Sequence, residues 1–287
     1  MEREVLEHAW TRQRIWSQTA NRLRCRIDSA RRTALLLAIA TAVLAVAAGQ
    51  IQPERPELAR VFSFIAALTA AWGGLIARHT ALDRVEIWTH ARSVSEAIKS
   101  QVYQYLAGAS AYAGEDADAE LASRIDRIEG EVNAVEQETL GIASDGKPLP
   151  DIHDLESYIV ARVTEQIEGY YRPKAARYKQ RVRRLTRASG ALAALAVLLS
   201  ALGSVYDWTG AAAWVPVVTT ITTALAAHIS ASRYEEQIVD YLSTARKLET
   251  LRLARYTGGA SDAAFIDACE SLMASENKGW QAGWSAG

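Results

Sequence analysis

Cysteine is scarce in this sequence, which contains only Cys25 and Cys269 among its 287 residues. Two cysteines this far apart, each within a charged segment, provide neither a disulfide framework nor the paired spacing of a zinc site. We therefore expect both residues to be reduced thiols with structural roles.

Net charge is also nearly absent, because 32 Lys and Arg residues offset 33 Asp and Glu residues. Proteins that bind nucleic acid usually carry a strongly basic surface, so we expect no nucleic-acid partner. The first apolar run begins only at Thr33, after a long charged segment. This is too late for a secretory signal peptide, and we expect none to be cleaved.

The sequence lacks the motifs that carry common enzymatic chemistry. It contains no Gly-rich phosphate loop, no G-x-S-x-G and no H-E-x-x-H, and its five histidines are dispersed. We therefore expect the protein not to be an enzyme, and we expect no catalytic residues, no metal and no cofactor.

Four long runs have no acidic or basic side chain other than a single histidine: 33–53, 61–77, 188–206 and 208–232. A helix of about 20 such residues crosses the hydrocarbon layer of a bilayer. A short turn with two prolines joins the first two runs, and Asp207 separates the last two. We predict an all-α integral membrane protein whose four transmembrane helices form two repeated hairpins, with long cytoplasmic helical extensions.

Lys and Arg are concentrated in residues 22–32 and 172–187, which precede the first and third runs, whereas the turns within the hairpins contain only Arg55 and Arg60. Because basic residues are enriched on the cytoplasmic side, we predict that both termini are cytoplasmic. The two hairpins then have the same orientation, as in parallel repeats.

Similar charged segments follow the two hairpins, at 77–105 and 228–256. The segment 141–150, GIASDGKPLP, combines glycine, proline and polar residues without an apolar period, which is typical of a linker. We predict a first helix, hairpin and helix repeat at 1–140, a linker at 141–150 and a second repeat at 151–287.

Polar residues in and around the runs are candidates for an ion path. The pore-lining candidates are Ser63, Thr69, Thr219, Thr220, Thr222 and Thr223. The alternative for these hydroxyls is a bond to their own helix or a neighbouring one. The outer-mouth charge candidates are Glu54, Glu57 and Asp207, which can also be solvated loop carboxylates, and the inner-mouth candidates are His79 and His228, which can also be interfacial anchors. No acidic or basic residue lies in the middle of a run, which argues against a proton-coupled pump.

Two sets of residues in the exit segments are candidates for a gating joint between a hairpin and the cytoplasmic helices. These are Trp88, Arg92 and Glu96 in the first segment and Tyr241, Arg246 and Glu249 in the second. The first three recur every four residues and share one side of a helix. An exposed ion pair at this spacing contributes only about 0.3–0.5 kcal/mol.

The pattern of a basic helix, a two-span hairpin and an exit helix with W-x-x-x-R-x-x-x-E-A-I-K resembles the SLATT superfamily of bacterial two-transmembrane domains. In the first half the resemblance rests on Trp88, Arg92, Glu96, Ala97, Ile98, Lys99, Tyr103 and Tyr105. In the second half it rests on Tyr170, Tyr171, Lys174, Arg233, Tyr241, Ala245, Arg246, Leu248, Glu249, Phe265, Glu270, Glu276, Asn277 and Trp280.

This resemblance implies a pore-forming effector in the inner membrane of a bacterium, in a family often associated with nucleotide-based defence modules. The chain departs from the simplest pattern by carrying two copies and no fused sensor domain, so a constitutive or differently gated channel fits equally well.

Our leading hypothesis is an oligomeric membrane channel or pore, cation-permeable and gated by the cytoplasmic helices. Four spans are too few for a roomy pore in one chain, so we expect a dimer or tetramer in the lipid bilayer. The alternative is a non-conducting membrane scaffold that recruits partners through its cytoplasmic helices.

Overall fold

The computed structural model describes residues 2–78, 82–206, 208–258 and 261–285, and within these ranges the chain is helical with no strand. The α-helices are α1 (Glu2–Ile51), α2 (Pro56–Ala77), α3 (Leu82–Leu106), α4 (Ala117–Gly130), α5 (Asn133–Glu136), α6 (Leu155–Tyr158), α7 (Arg172–Val205), α8 (Thr209–Ala212), α9 (Val215–Ser232), α10 (Tyr234–Thr257) and α11 (Asp262–Ser285). A π-helix, Ile159–Tyr171, lies between α6 and α7. Short 3₁₀ turns occupy Ser110–Tyr112 and Gln137–Thr139.

Helix α1 is 50 residues long because nothing before Gly49 interrupts it, glycine and proline both being absent from that part of the sequence. At 1.5 Å per residue the helix measures about 75 Å. A hydrocarbon layer of about 30 Å takes about 20 residues. The apolar end of α1 therefore accounts for one crossing, and its charged beginning lies outside the bilayer.

The described residues form two compact units. The helical unit contains Met1–Cys25, Leu82–Ala176 and Gln237–Gly287, and the membrane unit contains Arg26–Ala81 and Arg177–Glu236. Each unit takes segments from both halves of the sequence. The predicted boundary at 141–150 divides the sequence into two successive repeats, which are not the same as these two units, and it stays a prediction. Residues 142–150 contain no helix.

Four helical stretches are long and apolar enough to cross a membrane: Glu4–Ile51, Pro56–Ala77, Leu155–Val205 and Gly210–Thr257. Within their most apolar windows, only 6%, 11%, 0% and 17% of the residues are buried by the chain itself. Apolar side chains left uncovered to this extent require lipid or another copy of the chain around them. The predicted fold class, an all-α multi-pass membrane protein, is confirmed.

In the first hairpin of the membrane unit, small and hydroxyl side chains lie where α1 and α2 approach each other. The Oγ1 atoms of Thr41 and Thr69 are 2.8 Å apart, within hydrogen-bond distance. A side chain added at Gly73 would place its Cβ 3.5 Å from the Cβ of Leu37. Small residues of this kind allow membrane helices to pack closely, since lipid provides no hydrophobic force between them.

In the second hairpin, α7 comes so close to α8 that glycine is required at one position. A Cβ at Gly203 would lie 2.6 Å from the Cβ of Ala212, which is shorter than real carbon contacts allow. Helix α9 ends at Ser232, and Arg233 has a φ of 45°, in the left-handed region that non-glycine residues seldom adopt. This residue separates the fourth span from α10.

In the helical unit, α3 packs against α4 and α11. Large side chains from seven elements fill the core: Trp16, Ile98, Leu121, Tyr158, Ile167, Tyr241 and Ile266 are each at most 1% exposed. Gly108, with a φ of 67°, ends α3 because glycine adopts the left-handed region without a Cβ clash. The following turn leads the chain back to pack α4 against α3.

Candidate functional site

The π-helix gives one side of the helical unit an unusual set of buried residues. Asp154 starts the helical segment, because its side chain accepts a hydrogen bond of 2.7 Å from the backbone N–H of Ser157. Over the next turns Ile159, Val163 and Ile167 recur every four residues and are buried. The π-helix ends at Tyr171, two residues before Pro173, which has no N–H to donate. π-helical segments occur frequently at functional sites.

A buried ion pair joins this π-helix to α11. Arg162 donates from Nε and Nη2 to the two carboxylate oxygens of Glu270, each at 2.8 Å, and the two side chains are 3% and 1% exposed. The hydroxyl of Tyr158 donates to the same carboxylate at 3.0 Å, and the guanidinium lies 4.6 Å from the ring centroid of Tyr103 on α3. Burial by itself lowers the pKa of Arg162, but the attraction of Glu270 outweighs it and holds the pKa above its ordinary value.

A second cluster surrounds the hydroxyl of Tyr170. Arg92 donates a hydrogen bond to this hydroxyl, and Lys174 Nζ donates another at 3.2 Å. The ring of Tyr170 lies 5.9 Å from that of Tyr241 on α10 and 5.2 Å from that of Tyr171. Burial by itself raises the pKa of the Tyr170 hydroxyl, but the two cations lower it below its ordinary value.

Glu96 and Lys99, one and two turns along α3 from Arg92, complete the charged face of that helix. Burial by itself raises the pKa of Glu96, but Lys99 and Arg92 outweigh it and lower the pKa. For Lys99, burial is the largest effect, and the pKa falls below its ordinary value. Cations and anions therefore alternate along α3 where it contacts the π-helix.

A polar cavity of about 340 Å³ lies beside the ion pair. Glu96, Gln101, Arg124, Arg162 and Asp267 are among the residues that line it. The Nη1 atom of Arg162 is buried and has no hydrogen-bond partner within the described part of the chain. It can donate to water or to a small polar molecule in this cavity.

The arrangement is suited to holding helices in register. Arg162 bonds Glu270, Arg92 bonds Tyr170, and Arg252 bonds Thr164, so directional bonds connect the π-helix to α11, α3 and α10. In the four described ranges, no group of three or more His, Cys, Asp or Glu residues is placed to hold a metal ion.

Comparison with known families separates the two halves of the chain. Residues 158–280 match the family described as SMODS and SLOG-associating 2TM effector domain 1. This part of the chain is therefore similar to SLATT domains. Residues 14–120 match a different family, DUF4231, described as a protein of unknown function. Neither a curated protein nor a solved structure matches the chain.

The resemblance to SLATT is confirmed for residues 158–280, whereas the residues that suggested it in the first half lie in the DUF4231 match. Each match contains one hairpin of the membrane unit. The ion pair of Arg162 and Glu270 lies wholly within the region that matches the SLATT family model. The bond from Arg92 to Tyr170 instead joins the two matched regions within the helical unit.

The structure brings some of the gating-joint candidates together and leaves others apart. Arg92 and Tyr241 both contact Tyr170. The guanidinium of Arg24 lies 5.4 Å from the ring centroid of Trp88, which is buried. Glu249 pairs instead with Arg172, at 2.6 Å. Arg246 is exposed. The role of these residues in gating stays a prediction.

The pore-lining candidates divide between exposed and half-buried positions. The hydroxyls of Thr219, Thr220 and Thr222 donate to carbonyl oxygens four residues earlier, at 2.8–2.9 Å, and that of Thr69 donates to Ala66. Thr219, Thr220, Thr223 and Ser63 are exposed in the single chain. These hydroxyls can therefore face lipid, another copy or water, and their role stays a prediction.

Two of the mouth candidates, His79 and Asp207, lie outside the described residues. Glu54 and Glu57 are exposed in and just after the turn of the first hairpin, and Glu57 pairs with Arg60 at 2.8 Å. His228 is half-buried near the end of α9.

Sequence reasoning missed Arg162 and Tyr158, and it named Glu270 only as part of a family pattern. A signal was present. Arg162 interrupts an apolar stripe that includes Ile159 and Val163, and Glu270 interrupts one that includes Ile266 and Met273. One basic and one acidic residue on two apolar stripes indicate a buried pair, because an ionised group is seldom buried alone.

Proposed function

We propose that the protein is an oligomeric pore in the inner membrane of a bacterium, permeable to cations, and that it acts as a membrane effector in defence. Its termini and helical unit lie in the cytoplasm, and the helical unit gates the pore. It is not an enzyme. The observation that carries the proposal is an uncovered polar face on α9.

Helix α9 has two unlike sides. Val217 and Val218 are buried against the chain, whereas Thr219, Thr223 and Ser230 are exposed. The last three follow spacings of four and seven residues, so they share one side of the helix. A hydroxyl-bearing face that the chain itself leaves uncovered is suited to line water in an assembly.

The uncovered spans support assembly from several copies. Most of each apolar span is left open by the chain, and two hairpins alone enclose little space. A symmetric dimer or tetramer would surround one axis with four or eight hairpins. In such an assembly, Glu54 and Glu57 would form rings of negative charge that attract cations.

The helix boundaries support gating by the helical unit. Helices α1, α7 and α10 each have residues in both units, and α1 and α7 also contain apolar spans, so a change in the helical unit acts on helices that cross the membrane. The family description names association with SMODS and SLOG. We infer that a partner of this kind provides the trigger.

The proposal is tested by native mass spectrometry of the purified chain and by potassium efflux from liposomes. The double variant Thr219→Val, Thr223→Val removes the hydroxyls of the exposed face with little change in shape, and it should reduce efflux severalfold. The matched control is Thr250→Val, because Thr250 is also exposed and also bonds the carbonyl four residues earlier, but lies on α10 in the helical unit. A monomeric chain, or equal efflux from all three proteins, would contradict the proposal.

A second candidate function, a non-conducting scaffold, is favoured by one feature of α10. Val239, Leu242, Leu253 and Tyr256 are exposed large apolar side chains that lie along one side of this helix. Exposed apolar faces of this kind mark interaction sites. A scaffold predicts that Leu242→Glu with Leu253→Glu abolishes a complex, while Glu57→Gln leaves ion flux at the background level.

A further inference from the structure

A cavity of about 260 Å³ in the membrane unit is lined by basic residues from three helices. Arg31 and Arg32 come from α1, Arg181 from α7 and His228 from α9, and Asp28 is the acidic residue in the lining. With His228 neutral, three arginines and one aspartate give the lining a formal charge of +2. The cavity is therefore suited to an anion.

The cavity lies at the depth of the lipid headgroups. Arg31 and Arg32 directly precede the apolar run 33–53, and His228 lies in the last turns of the run 208–232. Arg181 precedes the third run by about two helical turns, or about 10 Å. The polar layer between hydrocarbon and water is about 5–8 Å thick on each side of a bilayer. Long arginine side chains easily reach across it.

Two of the arginines bond to neutral oxygen atoms. Arg32 donates from Nε to the backbone carbonyl of Asp28 at 3.1 Å, and Arg181 donates from Nη1 to the hydroxyl of Tyr234 at 3.1 Å. Within the residues that the structure describes, neither forms an ion pair with a carboxylate. Each guanidinium therefore keeps donors available for a ligand that enters the cavity.

Tyr234, which also lines the cavity, holds Arg181 in place. Tyr234 is buried, with its ring 5.7 Å from the guanidinium of Arg181 and 5.2 Å from the ring of Tyr178. The left-handed backbone of Arg233 puts Tyr234 at the start of a new helix. The hydroxyl of Ser232 bonds the carbonyl of His228 at 2.7 Å, which satisfies the end of α9.

We propose that this cavity binds a phosphate group through Arg32 and Arg181, and that the phosphate belongs to an anionic lipid headgroup or to a soluble phosphate compound. Planar guanidinium groups match the oxygens of phosphate, and basic pockets between membrane helices bind anionic headgroups. The site requires neither conduction nor gating, so it stands independently of the proposed function.

Basic residues are generally enriched beside membrane spans, and this enrichment could by itself explain the arginines around the cavity. Another arginine of the chain provides a control for this explanation. Arg184 lies on the same helix as Arg181, close to the same apolar run, and is exposed, but it does not line the cavity. If lipid binding comes only from general attraction to an anionic surface, replacing Arg181 or Arg184 should have the same effect. If the cavity is a binding site, replacing Arg181 should have the larger effect.

The test is retention of lipid by the delipidated full-length protein, measured by native mass spectrometry. The probes are dioleoylphosphatidylglycerol and dioleoylphosphatidylcholine, each with and without sodium pyrophosphate as a soluble competitor. We expect retention of phosphatidylglycerol over phosphatidylcholine. Arg181→Gln and Arg32→Gln should each lower this retention about fivefold, whereas Arg184→Gln should lower it less than twofold.

The pyrophosphate arm identifies the source of the phosphate. Pyrophosphate can displace phosphatidylglycerol from the unmodified chain and raise the unfolding temperature of that chain more than that of Arg181→Gln. In that case the site binds a soluble phosphate compound. If pyrophosphate has no effect and the lipid preference holds, the site takes a lipid. Equal losses in Arg181→Gln and Arg184→Gln overturn the site. Should Arg181→Gln fail to fold, the comparison of Arg32→Gln with Arg184→Gln decides in the same way.

Discussion

The two units of the molecule treat their polar groups differently. In the described spans of the membrane unit, hydroxyls such as those of Thr219 and Thr222 bond carbonyls of their own helix. In the helical unit, buried groups such as Arg162 and Glu270 form an ion pair that bonds across helices. A self-satisfied hydroxyl leaves its helix able to pack against many neighbours, whereas a buried charge requires one particular partner. The bonds that require one particular partner on another helix therefore lie in the helical unit.

The largest loss of stability is expected when one partner of the buried ion pair is removed. Glu270→Ala should lower the free energy of unfolding by about 3–5 kcal/mol, because the charge of Arg162 is then buried without compensation. Thermal unfolding in detergent, followed by tryptophan fluorescence, measures the loss.

The matched control is Glu57→Ala, which breaks an exposed ion pair with Arg60 in the membrane unit and should leave unfolding unchanged. The apolar double variant Arg162→Met, Glu270→Leu should recover most of the loss, because it removes both charges together. Similar effects of Glu270→Ala and Glu57→Ala would contradict the contrast between the units.

Close packing is the feature on which the membrane unit depends. Gly203→Val should destabilise the protein by about 1–3 kcal/mol, because the new side chain overlaps Ala212. Gly190→Val is the control on the same helix, since a Cβ at Gly190 meets no atom within 4 Å. The difference in unfolding temperature between the two variants measures this packing, and identical temperatures would rule it out.

The helical unit should also respond to pH through Glu276. Burial is the largest effect on this carboxyl; together with Glu96 on α3 and Asp240 on α10 it outweighs Arg92 and Lys174, and the pKa rises to about 7. The folded state then holds a proton that the unfolded state has released, so stability is greatest below about pH 4.5 and falls as the pH rises through 7. At about 1.4 kcal/mol per pKa unit, and with partial solvation, the loss should be about 1–2 kcal/mol.

Glu276→Gln tests this dependence, because its amide has no proton to lose. Unfolding temperatures measured from pH 5 to pH 8 should decline for the unmodified chain and change less for the variant. Parallel curves for the two proteins would show that Glu276 does not control this pH range.

The smallest expected effect concerns the half-exposed pair of Arg172 and Glu249, which contact at 2.6 Å. Glu249→Gln should lower stability by less than about 1 kcal/mol, since solvent screens the pair. In the flux assay, the same variant should change gating, because Glu249 lies on α10. A variant with normal stability and normal flux would remove Glu249 from the gating joint.

Much of the fold could be predicted from the sequence because its strongest signals are local. The absence of charge over 33–53 or 188–206 predicts a membrane span without knowledge of any partner. Gly108 ends α3 for a reason that lies within one residue.

The buried cluster could not be predicted in the same way because its contacts join distant parts of the chain. Arg162 and Glu270 are 108 positions apart, and Arg92 and Tyr170 are 78 positions apart. The π-helix also changes which residues share a face of the helix. A prediction based on the α-helical period is therefore less accurate about the face on which Tyr158 and Arg162 lie. The two compact units take segments from both halves of the sequence, and only folding brings those segments together.

The most direct test of the account is electrical recording from the purified full-length chain in a planar bilayer. The account predicts discrete conductance steps that favour potassium over chloride and that decrease when Thr219 and Thr223 are replaced by Val. An oligomeric, folded chain that never conducts under any tested pH, calcium or nucleotide condition would contradict it.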